Sequence, residues 1–392
     1  MVVGPRAAGK TTTAARLAAQ VDRLDVPDTA AAYRADPDAA LHRSARPLLI
    51  DEWQVVPDVL WAIKRAVDKD RTPGQFLLTG SLRADAGDST WAGTGRVVRV
   101  DLHLLAEREI EAGTDLRRSG LISRLWTDWL ATLPDRLPEI DIDGYMSRAL
   151  RGSFPELAYG SRTTRQRQQW LDSYVDDIVQ RDVSSIGASR DPVRLRRYLT
   201  VLALNLAGQP TDASMLRDAD LNFKTAGAYE RALSSLALVD VVPAWTSGRL
   251  KRLTRAGKRY IVDTALAAAA AEIAGSDVTR DSNLRGRWFD AFAMMQLRPE
   301  FELSSPRMRP FHLRDEGGRH EIDLVVESRG NHVFAIEFKA GAAPTREDAR
   351  HLVWLRDELG SRFAGGIVLH AGRSVIEFDD RIAAVPLSAC WS

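Results

Sequence analysis

The 392-residue chain has a single cysteine, Cys390. One thiol excludes an intramolecular disulfide and any cysteine-based zinc site. It suits a reducing compartment, so a cytoplasmic location is the expectation. No apolar run reaches the roughly 18 residues of a transmembrane helix. The alanine tract Ala265–Ala271 is shorter and is followed by Glu272, so it reads as a packing helix. A basic segment leading into a cleavable apolar stretch is also missing, and no secretory signal is expected. Lysine is scarce, with 7 against 47 arginines. An excess of one charge is missing as well: 54 basic residues nearly cancel 53 acidic ones, for a net +1. That excludes a uniformly basic nucleic-acid coat or a polybasic membrane binder and leaves local patches open. The chain is 45% apolar and 27% charged. Those values exclude wholesale disorder, a collagen-like rod or a fibrous coiled coil. At about 150 residues per domain the length predicts two to three domains.

The strongest signal lies near the start. Gly4-Pro5-Arg6-Ala7-Ala8-Gly9-Lys10-Thr11 fits G-x-x-x-x-G-K-[ST]. Glycine permits a tight turn whose backbone N–H groups face phosphate oxygens. Lys10 brings a point charge to the β- and γ-phosphates, and Thr11 offers a hydroxyl to Mg²⁺. Thr12 and the residues to Ala19 are helix-compatible, which points a helix N-terminus at the phosphates. Next, Pro47-Leu48-Leu49-Ile50-Asp51-Glu52 is a short apolar strand ending in two carboxylates. In an α/β sheet such residues sit at the ligand crevice. Asp51 is the candidate Mg²⁺ ligand beside Thr11, and Glu52 the candidate that polarises the attacking water. Val59–Val67 reads as an amphipathic helix, and Gln75–Ser81 as another buried strand with polar residues at its end. Thr79 or Ser81 then faces the γ-phosphate or the water. The alternation of strand and helix predicts a parallel sheet covered on both faces.

The run Leu49-Ile50-Asp51-Glu52-Trp53-Gln54-Val55-Val56-Pro57, with Ile63-Lys64, Val67-Asp68 and Pro73–Ser81, resembles an AAA-like ATPase family of bacteria and archaea. That family pairs its ATPase with a C-terminal domain of unknown function. Gly95-Arg96-Val97 and Leu104–Glu109 are similar to its continuation. The resemblance implies ATP and Mg²⁺ as cofactors, a phosphate-sensing or subunit-bridging role for Arg96, and possible oligomerisation. Members carry a segment and a strand before the phosphate loop. Here only Met1-Val2-Val3 precedes Gly4, so the first strand is expected to be truncated. Ser153-Phe154-Pro155-Glu156, Trp170-Leu171, Tyr174 and Arg181-Asp182 also resemble the family and read as a packing linker.

Residues 190–260 read differently. Helical patterns at Val193–Leu206, Asp212–Ala219 and Phe223–Leu238 precede an apolar strand, Val239–Trp245, a turn and a basic run. This order predicts a helix-turn-helix with a two-stranded wing. Its third helix offers Lys224, Thr225, Tyr229 and Arg231 for recognition. The stretch holds 13 basic and 6 acidic residues, a local +7, and Arg249, Lys251 and Arg252 open its basic run. Nucleic acid or a protein partner are both open readings. Lys258, Tyr260, Asp263 and Leu266 resemble a K-x-Y-x-x-D-x-x-L stretch of the same family.

In the C-terminal third, His320–Val326 and Val333–Lys339 flank a Gly330-Asn331 turn and predict a hairpin. Glu337 and Lys339 are two apart and project to one side of a strand, near Asp323. Two carboxylates and an ammonium suit Mg²⁺-assisted phosphodiester hydrolysis. The D–x13–ExK spacing looks like that of the PD-(D/E)xK nuclease superfamily, whose fold adds an acidic residue on a preceding helix. Asp290 stands at that place. His312, His320 and His332 lack zinc-ligand spacing and read as surface or turn residues.

The expected architecture is α/β. A P-loop ATPase domain spans 1–115, a helical linker 116–189, a winged-helix-like domain 190–265 and a restriction-endonuclease-like α/β domain 280–392. Three functions compete: an ATPase coupled to a partner or nucleic acid, a DNA-acting nuclease or DNA-binding regulator with the ATPase as switch, and a protein-binding ATPase switch.

Overall fold

A computed structural model of the chain describes residues 1–80, 95–111, 120–134, 136–182, 191–208, 212–246, 256–304, 307–315, 317–328 and 330–392. It is a mixed α/β structure with an N-terminal parallel sheet, a helical middle and a C-terminal sheet. The chain divides into two compact units. One comprises Met1–Leu104 with Phe154–Glu156 and Glu230–Leu238, and the other Leu105–Ser153, Leu157–Tyr229 and Val239–Ser392.

The first unit is built on strands β1 (Val2–Val3), β2 (Gln20–Arg23), β3 (Leu48–Asp51), β4 (Phe76–Thr79) and β5 (Val100–Asp101). They pair in the order β2-β3-β4-β1-β5, and every pairing is parallel. Strand β3 is buried along its whole length, as a parallel strand covered on both faces must be. Its Leu48 and Ile50 pack with Val3, Leu24, Trp53, Val59, Leu60, Ile63 and Leu78. The helix Val59–Lys69 contributes Val59, Leu60, Ala62 and Ile63 from one face, so its amphipathic spacing is satisfied. Truncating Ile63 to alanine would cost about 2–5 kcal/mol. The helix after the phosphate loop runs Lys10–Ala15, shorter than its sequence pattern. Loop Gly4 is demanded by close approach: a Cβ there would lie 2.3 Å from the Leu102 carbonyl oxygen.

In the second unit, the helix Thr164–Asp177 starts at a capping box formed by Thr163 and Gln166. Asp191 caps the helix Pro192–Leu204 by accepting from the N–H groups of Val193 and Arg194. The helix Asp212–Ala219 follows, and then the helix Phe223–Ser235, of which the second unit holds the part up to Tyr229. Strands β6 (Val239–Val242) and β7 (Lys258–Ile261) then form an antiparallel pair in which Val242 faces Lys258. The alanine-rich helix Thr264–Ala270 is buried at every position, as a packing helix requires.

The long helix Ser282–Leu303 leads into strands β8 (Met308–Arg314), β9 (Glu321–Ser328) and β10 (Val333–Lys339), joined antiparallel. The helix Arg350–Leu359 carries the chain back to β11 (Phe363–His370), parallel to β10. Strands β12 (Ile376–Asp379) and β13 (Ile382–Pro386) complete a six-stranded sheet in the order β12-β13-β11-β10-β9-β8. The core under it joins Phe311, Ile322, Val325, Val333, Leu352 and Phe363. Among the described residues no helix is long and apolar enough to cross a membrane.

Candidate functional site

The loop between β1 and its helix turns through Ala7 at φ 58° and Gly9 at φ 91°. Gly9 tolerates the left-handed conformation because it has no Cβ. Arg6, Ala7 and Thr12 are exposed on the outside of the loop, while Gly4, Pro5 and Ala8 are buried. Lys10 is buried, and its Nζ donates to the carbonyls of Gly4 at 2.9 Å and Pro5 at 2.7 Å. Burial lowers its pKa to about 8, against the raising influence of Glu52, with Arg6 lowering and Asp51 raising it further.

Asp51 ends β3 at the level of this loop. Its Oδ1 accepts from the Thr11 hydroxyl at 2.8 Å and from the Thr79 hydroxyl at 2.6 Å. Sequence reasoning put Thr79 against the γ-phosphate or water. Thr79 is fully buried, and its hydroxyl is engaged by Asp51. Glu52 follows in the left-handed region, φ 53°, which turns the chain sharply after the strand. The Gln54 side-chain amide donates to the Glu52 carboxylate. Gln54 and Trp53 close against Gly80, where a Cβ would lie 2.4 Å from Gln54 Oε1. The sequence alone assigns Gln54 no role. Its signal is the D-E-x-Q spacing, which returns the amide to the glutamate across a tight turn.

These residues fit a Mg²⁺-nucleotide: a loop turned by Gly9 in the left-handed region, an ammonium inside it, and a hydroxyl beside a carboxylate. Arg96 does not join them. It pairs with Asp68 at 2.6 Å and lines a cavity of about 690 Å³ with Met1, Pro73 and Gly74, at the N-terminal ends of the strands.

In the C-terminal region Asp290, Asp323, Glu337 and Lys339 do converge. They line a cavity of about 480 Å³ together with Glu321 and His351. Lys258, at the start of β7, reaches the same cluster, with its Nζ 3.0 Å from Asp323 Oδ1. The Phe338 N–H donates to Asp323 Oδ2 at 3.1 Å. Burial, then the neighbouring Asp323 charge, pushes the carboxyls of Glu337 and Asp290 well above the usual range. Burial also pushes Asp323 upward, but the Lys258 ammonium and the Phe338 N–H hold it below the usual value. Asp323 thus already has an ammonium on one oxygen and a backbone N–H on the other. Among the described residues no group of three or more His, Cys, Asp or Glu side chains is set to hold a metal.

The candidate nucleic-acid residues divide. Lys224 is exposed in the first turn of its helix. Tyr229 is fully buried, with its hydroxyl donating to the Asp191 carbonyl at 3.3 Å, so it is not available for recognition. Arg249, Lys251 and Arg252 lie outside the described residues, as does Ser81. His312 is buried rather than on the surface, 3.1 Å from the Ala256 carbonyl, and His320 stacks on Trp354.

Fold and loop together give the first unit the architecture of the P-loop class. Residues 1–111 match the family model of an AAA domain, which supports an AAA-like P-loop ATPase. Residues 142–277 and 285–390 match two domains of unknown function, DUF8612 and DUF4143. The chain is similar to uncharacterized proteins Mb2031c of Mycobacterium bovis and Rv2008c of Mycobacterium tuberculosis. Each is 27% identical over 394 residues, covering 98% of this chain and 79% of the relative. A solved structure, the Walker-type ATPase PABY2304 of Pyrococcus abyssi, aligns with a TM-score of 0.39 and 12% identity over 69% of this chain and 89% of that one.

Proposed function

We propose that the chain is a Mg²⁺-dependent ATPase whose site is the Gly4–Thr12 loop with Asp51 and Glu52. The convergence of the Thr11 and Thr79 hydroxyls on Asp51, beside the loop that holds Lys10, carries this reading. Bound Mg²⁺-ATP supplies the electrophilic phosphorus and the cation that neutralises its oxygens. The backbone from Gly4 to Thr12 binds phosphate oxygens, and Lys10 adds positive charge there. Thr11 and Asp51 hold the metal, with Thr79 fixing the Asp51 carboxylate. Glu52 orients the attacking water and receives its proton, while Gln54 holds the Glu52 side chain. Purified protein should hydrolyse ATP. Lys10→Ala should lose nucleotide affinity by about tenfold or more, the worth of one charged hydrogen bond. Glu52→Gln should bind ATP and stall. Equal turnover in wild type and both variants would refute the reading.

Function is then divided along the chain as 1–115, 116–189, 190–265 and 280–392. Three helices followed by the β6–β7 pair, with Lys224 exposed, support a winged-helix-like middle that contacts a nucleic acid or a protein. One helix, three antiparallel strands, a crossover helix and a parallel strand support a nuclease-like C-terminal fold. Phosphodiester hydrolysis is not assigned to it, because among the described residues no group of three or more ligating side chains is set to hold a metal. Plasmid incubated with the protein and Mg²⁺, with and without ATP, should remain uncut. Cleavage abolished by Glu337→Ala would restore the nuclease reading.

A further inference from the structure

Lys258 is 1% exposed. A lysine so deeply buried needs a charged partner, since an unpaired ammonium would lose its proton or its place. Asp323 supplies it at 3.0 Å, from a strand 65 residues further along the chain. The surroundings favour the charged form further. Burial works against the ammonium, yet Asp323, Tyr260 and Asp290 together raise its pKa well above the ordinary value. Two further ties reach the same region: Arg298 pairs with Asp240 on β6, and just after β6 the Trp245 indole N–H donates to Glu327 at 2.9 Å. Lys258 itself is a strand residue, paired with Val242.

Two donors already engage the central carboxylate. The Lys258 ammonium occupies one oxygen of Asp323 and the Phe338 N–H the other. Lys339 stands two residues beyond Glu337, on the same cavity. A divalent cation needs several oxygens converging on one point, and here a full positive charge, the Lys258 ammonium, already sits against the central carboxylate.

We propose that Lys258 is the resident cation of the C-terminal carboxylate cluster, its ammonium standing in for the divalent metal that an Asp/ExK site would hold and locking the β6–β7 pair to β9. The cluster is thus a metal-independent ionic joint, and Lys258 is a positioning residue that keeps metal out. The inference concerns a different site from the proposed ATPase and stands or falls apart from it.

Thermal melting of the full-length protein tests the assignment. Wild type should melt at the same temperature in EDTA and in millimolar Mn²⁺. A Mn²⁺-induced rise that Asp323→Asn or Glu337→Gln abolishes would overturn the proposal. A rise that both variants keep comes from another site and leaves the cluster metal-free, as proposed. Lys258→Met keeps the apolar stem and strands Asp323, so it should melt about 10 °C lower. Mn²⁺, now admitted to the carboxylates, should recover part of that loss. An unchanged melting temperature would overturn the role of the ammonium. Should Lys258→Met fail to fold, the double variant Lys258→Met/Asp323→Asn decides. With no charge left unpaired, it should melt above the single variant, or fold where that one does not. A double variant no better than the single one would refute the coupling.

Discussion

Lys10 meets two demands at once: it must remain charged and it must remain inside the loop. Burial works against the charge, lowering its pKa to about 8, while the carbonyls of Gly4 and Pro5 hold the ammonium from within. Asp51 is constrained in a different way, because two hydroxyls share one of its oxygens. Thr79 is the buried member of that pair, so its methyl and hydroxyl are both fixed by packing. Thr79→Val keeps the shape and removes the donor. Loss of one hydrogen bond to a charged acceptor is worth about 1.5–3 kcal/mol. If Asp51 is misplaced by that amount, ATP turnover should fall about tenfold or more while nucleotide affinity is nearly kept. Steady-state turnover beside equilibrium nucleotide binding separates the two, and a variant with wild-type turnover would refute an orienting role for Thr79.

At the scale of elements, the helix Leu121–Thr127 begins without a capping side chain of its own. Glu300, near the end of the helix Ser282–Leu303, fills that place. Its carboxylate accepts from the N–H groups of Leu121 at 2.8 Å and Ile122 at 2.9 Å. Gly120 makes room, since a Cβ there would lie 2.2 Å from the Glu300 carboxyl carbon. Burial raises the Glu300 pKa from its ordinary 4.5 to about 7, more than the two N–H groups lower it. A raised carboxylate pKa means the folded state binds the proton more tightly than the unfolded one. Its contribution is fully present below pH 4.5 and is lost as pH rises through about 7. Glu300→Gln removes the titration. The difference in melting temperature between wild type and variant should therefore change across pH 4.5–7 and level off above it. A difference that stays flat over that window would sink the assignment. Elements of this kind were legible in the sequence because local periodicity decides them. The helices Asp212–Ala219 and Val59–Lys69 begin where capping and amphipathic spacing put them. Helix ends were less legible, as with Lys10–Ala15, because the last turns depend on what packs against them.

Across the whole chain, chemistry that repeats at fixed spacing was readable and chemistry that depends on distant packing was not. The phosphate loop, Asp51 and the Asp323/Glu337/Lys339 cavity were each found from spacing on one loop or one strand pair. The ionic joint of Lys258 with Asp323 was not, since no local pattern announces a pairing 65 residues apart. Tyr229 was misplaced for the same reason: a helical pattern shows that a face exists, not which face is covered. The scarcity of lysine was a better guide than it first appeared, because Lys10, Lys258 and Lys339 all sit at the two charged sites. The net charge of +1 likewise conceals a local +7 over residues 190–260. If that stretch meets a duplex, it engages phosphates and releases counterions in proportion to the charges involved. Binding should then weaken linearly in log–log form as salt rises. Replacing Arg249, Lys251 and Arg252 with alanine should reduce the slope by about 0.9 for each phosphate no longer neutralised, with similar weakening on unrelated sequences. Fluorescence anisotropy with two duplexes of different sequence over a salt series measures this. A slope unchanged by the triple substitution would remove the basic run from any nucleic-acid interface, and an absence of binding at low salt would leave a protein partner as the occupant of the middle region.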